Sequence, residues 1–193
     1  MTYPATFTLD APEKIARWRP LVQWFLAIPH FIVLYFYGIL AQLLAVVAWF
    51  VILFTGKLPE GIARIIIAYS RYNTRVTTYA GFLHDQYPKF AFPDANDDPG
   101  DFPVAVSYQP ALDGRNRLTV LVRMFWAIPA LLFFYVVYLV AWIVWFLGFF
   151  VVIVLGAWPT GMRNFVAGAL RVGTRFGAYL FLLTDEYPPF SVD

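Results

Sequence analysis

Arginine pairs spaced four residues apart are the polar feature of this sequence with the clearest possible chemistry. Arg71 and Arg75 recur one hundred residues later as Arg171 and Arg175. Residues four apart lie on one face of a helix, so each pair predicts a basic face that could bind anionic lipid headgroups or a charged partner. The alternative is that these arginines anchor their helix at a membrane surface, or pair with aspartates for structural reasons.

Other charged residues lie close to these pairs in the sequence. Arg64 lies seven residues before Arg71, which places both near one face of the same helix. Asp85 and Asp185 follow the arginine helices and are candidates for a proton-transfer pair, or for a role in the turn that ends each helix. The candidate contacts with lipid or a partner are Arg64, Arg71, Arg75, Arg163, Arg171, Arg175, Asp85 and Asp185.

Residues suited to catalysis, cofactor binding or metal ligation do not form a pattern. The chain has no cysteine, which excludes disulfides, thiolate metal sites and cysteine nucleophiles. It has no HExxH, P-loop, GxGxxG or Gly-x-Ser-x-Gly pattern. His30 lies in an apolar run without a carboxylate, and Gln42 is matched by Trp142 in the second half. We therefore expect no enzyme, no cofactor and no metal.

The composition is typical of a membrane protein. Apolar residues make up 61% of the chain and charged residues only 13%, whereas soluble domains carry roughly 45–50% and about 25%. So few charged residues could not cover the surface of a soluble fold of this size. We therefore expect lipid to cover the remaining apolar surface. The net charge of +2 is too small to suggest nucleic acid. The segment before the first apolar run does not resemble a signal peptide.

The chain repeats itself at an offset of one hundred residues. Ala27-Ile28-Pro29 matches Ala127-Ile128-Pro129, and Asp85-x-Tyr87-Pro88 matches Asp185-x-Tyr187-Pro188. An apolar composition alone would produce chance matches between apolar residues, but it would not also align the prolines, arginines and aspartates. We predict a first membrane module over residues 1–92, an exposed acidic linker over 93–102, and a second module over 103–193.

Each module begins with an apolar run that is too long for one upright span. Residues 21–55 contain no charged residue and would form a helix of roughly 50 Å, against a hydrocarbon core of about 30 Å. Tyr35, Tyr37 and Gly38 suggest a turn, so we predict a spanning or re-entrant hairpin with arms near 21–37 and 39–55. Basic residues flank both ends of the run, and such a hairpin keeps them in the cytoplasm.

Such a hairpin would make the two modules parallel, about an axis along the membrane normal. The alternative is one bent, strongly tilted span per module, which gives inverted repeats. A third, interfacial helix is predicted over 59–83 and 159–183. Short strands at 5–9 and 104–108 could form a small sheet with the Tyr-Pro segments. The expected fold class is an all-α integral membrane protein with short extramembrane strands.

The repeated motif resembles a family of bacterial membrane proteins that carry a domain of unknown function in tandem. The resemblance rests on Ala27-Ile28-Pro29, Thr55-Gly56-x-x-Pro59-x-Gly61, the Arg71 and Arg75 pair, and Asp85-x-Tyr87-Pro88-x-Phe90. It covers nearly the whole chain. It implies a protein of the bacterial inner membrane and supplies no catalytic residue. From the apolar runs and their flanking charges we expect a multi-pass protein with cytoplasmic termini.

We therefore expect a non-enzymatic inner-membrane protein that acts through lipid or protein contacts. It could be an accessory subunit of a membrane complex or a homo-oligomer that organises the bilayer. The expected partners are membrane lipids with anionic headgroups, other membrane subunits or further copies of the chain, and no nucleic acid. The alternative is a small transporter or channel with its path between the repeats. Such a path needs polar residues, and the apolar runs offer little beyond His30 and Gln42.

Overall fold

The computed structural model describes residues 3–192, which form four helices and a two-stranded sheet. The elements in chain order are β1 (Ala5–Leu9), α1 (Arg19–Thr55), α2 (Glu60–Ala80), β2 (Val104–Tyr108), α3 (Arg117–Leu155) and α4 (Thr160–Leu180). The mainly helical fold and both strands match the prediction. Within the described residues the Tyr-Pro segments add no strand, so the predicted contribution of these segments to the sheet is wrong.

The helix α1 is continuous over 37 residues, so the predicted turn at Gly38 is wrong. A lone glycine destabilises a helix interior by only about 1 kcal/mol relative to alanine. The missing side chain instead allows close packing, because a Cβ at Gly38 would lie 3.2 Å from the Tyr69 hydroxyl. The helix ends at Gly56, whose φ of 73° is left-handed and whose amide donates to the Ile52 carbonyl. The 39-residue helix α3 ends in the same way at Gly156.

A helical hairpin does occur in each repeat, but α1 forms it with α2 and α3 forms it with α4. Gln23 of α1 donates to the His84 carbonyl beyond the end of α2 at 2.8 Å. Further along α1, Tyr37 donates to the Ile65 carbonyl near the start of α2 at 3.2 Å. The two helices therefore run antiparallel. The apolar run forms one arm of the hairpin, and the arginine helix forms the other.

The β1–β2 ladder relates the two repeats by a pseudo-twofold axis. Its antiparallel pairs are Ala5–Tyr108, Thr6–Ser107, Phe7–Val106, Thr8–Ala105 and Leu9–Val104. A shift of one hundred residues exchanges the first pair with the fourth and the second with the third. The ladder is therefore mapped onto itself by the repeat, and the axis passes through its centre.

Two equivalent contacts show that the long helices α1 and α3 are antiparallel. The Ile15 amide donates to the Gly156 carbonyl at 2.8 Å, and the Arg115 amide donates to the Gly56 carbonyl at 3.0 Å. Each bond joins the segment before one long helix to the end of the other. The start of α1 thus lies beside the end of α3, and the start of α3 lies beside the end of α1.

The hydrophobic core is shared between the repeats. The strand β1 packs on α4, and β2 packs on α2, so each strand covers a helix of the opposite repeat. Val104 and Val106 are buried in the same cluster as Ile66 and Ile67 of α2. The two modules are therefore intertwined around one core and are not two separate packing units.

One contact between the repeats is asymmetric in size. Trp145 of α3 donates to the Gly81 carbonyl at 2.8 Å, and a Cβ at Gly81 would lie 2.0 Å from the indole ring. The equivalent positions in the opposite copies are Ala45 and Phe181, which both pack against the core. The large and small residues are thus reversed between the two copies of this contact.

Candidate lipid-contact surface and the buried arginine clusters

Arg71 lies at the centre of the first arginine cluster. Its guanidinium donates to the carbonyls of Pro93 at 2.5 Å, Ala95 at 2.9 Å and Val106 at 2.9 Å. It also lies 3.0 Å from the carboxylate of Asp98. The side chain is fully buried, so this arrangement does not leave Arg71 free for a lipid headgroup.

Arg75 completes this cluster from the next turn of α2. It donates to Asp98 at 2.9 Å and to Asp101 at 3.1 Å, and its guanidinium lies 5.0 Å from the centre of the Phe102 ring. The Asp98 side chain is only 2% exposed and also accepts the Val106 amide at 3.0 Å. The expectation of an exposed linker is therefore wrong for Asp98, because the linker folds over α2 to neutralise both arginines.

The second repeat builds its cluster from different residues. Arg115 donates to Asp185 through two bonds of 2.9 and 2.6 Å, and Arg123 also donates to Asp185. Burial alone would raise the pKa of Asp185. The hydrogen bonds and positive charges of the two arginines outweigh it and hold that pKa below its usual value. Asp185 thus joins the segment that follows α4 to the start of α3.

The remaining candidates lie at the periphery. Asp85 is 55% exposed in its side chain and forms a loose ion pair with Arg19 at 3.6 Å. Arg64 is exposed and pairs with Glu60 at 2.7 Å along α2.

The arginines of α4 lie near the C-terminal segment. Arg171 donates to the Val192 carbonyl at 3.0 Å, and Arg175 donates to the Ser191 carbonyl at 3.2 Å. Arg163 lines a cleft together with Arg171. The eight candidates are therefore dispersed over several sites.

Arg17 and Arg117 occupy equivalent exposed positions that the sequence identified only as flanking charges. A Cβ at Gly156 would lie 3.6 Å from Arg17 Nε, and a Cβ at Gly56 would lie 3.4 Å from Arg117 Nε. Each arginine thus lies beside the C-terminal end of the opposite long helix, where the helix dipole favours a cation. Two corners of the molecule therefore carry an exposed positive charge.

His30 and Gln42 do not line a common path. His30 is fully buried; its Nδ1 lies 2.6 Å from the Tyr72 hydroxyl, and its ring stacks on Phe90. Gln42 is exposed and lies about a third of a turn around α1 from His30. Among residues 3–192, no three histidine or carboxylate side chains are placed to hold a metal ion.

Apolar side chains are exposed along the whole length of both long helices. We call this surface the outer face: the exposed large apolar residues from Leu21 to Phe54 on α1 and from Leu118 to Leu155 on α3. In the described part of the chain, α2 exposes no large apolar residue and α4 exposes only Leu180. Both long helices are long and apolar enough to cross a membrane.

An apolar groove separates α1 from α3 on one side of the axis. It has a volume of about 550 Å³. Trp24 and Phe31 line it from α1, Trp142 and Phe146 line it from α3, and Phe82 closes it beyond the end of α2. The groove offers almost no polar surface, so it does not resemble a path for a hydrophilic solute.

One family of proteins matches the chain twice, over residues 17–91 and 117–191, and is described as a domain of unknown function, DUF4389. The chain belongs to the DUF4389 family. The two matched ranges confirm the tandem repeat, and each DUF4389 copy contains one long helix and the arginine helix that packs on it. No curated protein and no solved structure matches the chain significantly.

Arg115, Arg123 and Asp98 are the residues of these clusters that sequence reasoning missed. Arg123 lies inside the first turns of the apolar helix α3. A charge in such a place normally requires a buried partner, which is the signal that could have identified it. The burial of Asp98 has no comparable local signal in the DUF4389 sequence.

Proposed function

We propose that this DUF4389 protein is a non-enzymatic protein of the bacterial inner membrane that acts through lipid or protein contacts. The outer face is the observation that carries the proposal. Soluble monomers rarely expose a contiguous apolar patch of more than a few hundred Å², whereas this face extends over every turn of two long helices. Covering it removes about 1.5–3 kcal/mol of unfavourable hydration for each large side chain that becomes fully buried.

The arrangement of charges supports lipid as the main contact. Four arginines, Arg71, Arg75, Arg115 and Arg123, have their side chains buried in ion pairs inside the fold. The exposed cations Arg17 and Arg117 lie at the ends of the long helices instead, and Lys57 beside Arg117 pairs with exposed Asp113 at 2.9 Å. An apolar face bordered by cations at its ends is complementary to acyl chains bordered by anionic headgroups.

A hydrophilic transport path between the repeats has less support. His30 is buried whereas Gln42 is exposed, and the groove between the long helices is almost wholly apolar. Flux of a polar solute or ion through vesicles that contain the purified protein, lost on Gln42→Ala, would favour a transporter over the proposed function.

Membrane extraction of the full chain, produced in a bacterial host, tests the proposal. We expect the protein to stay in the membrane pellet after alkaline carbonate washing and to need detergent for release. Replacement of Phe36, Leu40 and Leu43 by glutamate should release it, because three charges interrupt the outer face. Asp97→Ala, at an exposed linker position, is the matched control. A wild-type protein that remains soluble without detergent would contradict the proposed function.

Flotation with lipid vesicles separates the apolar contribution from the electrostatic one. We expect binding to phosphatidylcholine vesicles and tighter binding when half of the lipid is phosphatidylglycerol. The double substitution Arg17→Gln with Arg117→Gln should remove most of the preference for anionic lipid. Arg64→Gln, at an exposed arginine that pairs with Glu60 along α2, is the control. An unchanged preference in the double variant would exclude the two corners as headgroup contacts.

A further inference from the structure

We infer that α1 and α3 lie along a single leaflet of the bilayer, with the outer face towards the acyl chains, and that neither helix crosses the membrane. This inference rests on the proposed function, because it specifies how the outer face meets lipid. Two repeats in a membrane are related either by an axis along the membrane normal or by an axis in the membrane plane.

An axis in the membrane plane would place charged groups in hydrocarbon. The axis passes through the centre of the β1–β2 ladder, so the ladder would then lie at the depth of the bilayer midplane. The acidic linker is joined to this ladder, since the Asp98 amide donates to Ser107 at 3.0 Å. Exposed Asp94 and Asp97 would share that depth, and each aspartate at the centre of a bilayer costs about 3 kcal/mol or more.

An axis along the membrane normal keeps the sheet and linker outside the hydrocarbon. Rotation about such an axis leaves the depth of each residue in the bilayer unchanged. Equivalent residues of α1 and α3 must therefore lie at the same depth, so the two helix starts share one depth and the two helix ends share another. The two helices are nevertheless antiparallel and lie side by side, because Ile15 contacts Gly156 and Arg115 contacts Gly56. Because the start of each helix lies beside the end of the other, the start and the end of each long helix must lie at similar depth. The helices then run along the membrane surface or arch into one leaflet.

The length of the outer face supports this orientation. Exposed apolar residues extend from Leu21 to Phe54 on α1, a helical length of roughly 50 Å. An upright crossing helix needs only about 30 Å of apolar surface. In a helix along the leaflet, by contrast, the whole exposed side contacts lipid whatever its length.

The exposed aromatic residues give an independent argument. Crossing helices concentrate tryptophan and tyrosine in two belts, one at each membrane interface. Here Trp18 just before α1, Trp24 in its second turn and Tyr35 near its middle are all exposed. On α3 the exposed residues Trp126, Tyr135 and Trp142 are likewise distributed along the helix. Tyr35 and Tyr135 thus lie near the middle of the two long helices, which a crossing arrangement would place in hydrocarbon, whereas a helix along the leaflet keeps them at interfacial depth.

The cations at the helix ends agree with a single-leaflet arrangement. Arg17 lies beside the end of α3, and Arg117 lies beside the end of α1, where exposed Lys57 follows. With the axis along the normal, both corners face the headgroups of the same leaflet. In a crossing arrangement, one corner would face each side of the membrane.

Cysteine labelling of the full chain tests the inference, because the protein has no native cysteine to interfere. Ala16→Cys precedes α1, Lys57→Cys follows it, and Asn96→Cys marks the linker. A membrane-impermeant maleimide is applied to spheroplasts and to inverted membrane vesicles of the bacterial host. We expect all three positions to be labelled from the same side. Lys14→Cys and Glu60→Cys serve as a second pair if either end variant fails to accumulate.

The outcomes separate this inference from the proposed function. Labelling of Ala16→Cys and Lys57→Cys from opposite sides would overturn the single-leaflet arrangement and leave membrane association intact. A chain absent from the membrane fraction would overturn both. A bimane label at Leu40→Cys should in addition be quenched most strongly by lipids brominated near the headgroup, whereas a crossing helix predicts the strongest quenching by lipids brominated near the chain end.

Discussion

Gln23 and Arg123 occupy equivalent places in the two repeats and donate to equivalent carbonyls. Gln23 reaches the His84 carbonyl at 2.8 Å, and Arg123 reaches the Thr184 carbonyl at 2.9 Å. Arg123 additionally pairs with Asp185, which gives the second repeat a buried ion pair that the neutral Gln23 cannot form. The same backbone geometry therefore supports different electrostatics in the two halves of the molecule.

The Asp85 and Asp185 pair offers a matched test of this difference. Asp185→Asn should lower the free energy of unfolding by about 3–5 kcal/mol, because two buried arginines lose their carboxylate. Asp85→Asn should change it by less than about 1 kcal/mol, because its ion pair with Arg19 is exposed. Thermal unfolding in detergent, followed by circular dichroism, measures both. Equal losses in the two variants would contradict the burial of the second cluster.

The acidic linker should contribute strongly to stability. Asp98→Asn leaves the buried cations Arg71 and Arg75 without their shared carboxylate, so we expect a loss of about 3–5 kcal/mol. Asp97→Asn, next to it in the sequence but exposed, should stay within about 0.5 kcal/mol of wild type. The same unfolding experiment applies. An Asp98→Asn variant as stable as the wild type would show that the linker does not close over α2.

The close contact at Gly81 predicts a steric effect that a second substitution relieves. Gly81→Ala should destabilise by about 1–3 kcal/mol, because its Cβ would lie 2.0 Å from the Trp145 ring. Combination with Trp145→Ala should recover part of that loss. Gly177→Ala, in a helix position with no neighbour within 4 Å, should be neutral or stabilising by up to about 1 kcal/mol. If the double variant loses as much stability as the two single variants added together, Gly81 and Trp145 are not in contact.

His84 should make the protein less stable in mild acid. Burial lowers the pKa of His84 to about 4, so the unfolded chain takes up a proton near pH 6.5 that the folded chain resists. Stability should therefore fall as the pH decreases from about 6.5 towards 4, by about 3 kcal/mol in full. His84→Thr, which copies the equivalent Thr184, should reduce this dependence. Asp185 acts separately below about pH 4, where protonation of its carboxylate weakens the second cluster.

Parts of the fold were predictable because they depend on local patterns. Alternating residues predicted the bounds of both strands. The helices predicted over 59–83 and 159–183 form over Glu60–Ala80 and Thr160–Leu180, each one residue after its proline. The turn at Gly38 was predicted because tyrosines beside a glycine resemble an interfacial loop. A long apolar helix tolerates a lone glycine at a cost of about 1 kcal/mol, and Tyr69 fills the space beside Gly38.

The candidate site was harder to predict, because burial depends on residues that are distant in sequence. Arg71 had the pattern of an interfacial cation, yet it is covered by a linker more than twenty residues away. Arg123 resembled a flanking charge until the packing of α4 placed Asp185 beside it. The outer face, in contrast, was visible in the composition, since nothing else in the chain can cover so many apolar residues.

Contact between the outer face and acyl chains is the central claim, and fluorescence quenching tests it most directly. A bimane label at Leu43→Cys on α1 and another at Leu139→Cys on α3 should both be quenched by brominated lipid in reconstituted vesicles. A label at Asp97→Cys should instead be quenched by aqueous iodide. Quenching of the Leu43 and Leu139 labels by iodide, without any effect of brominated lipid, would contradict the account.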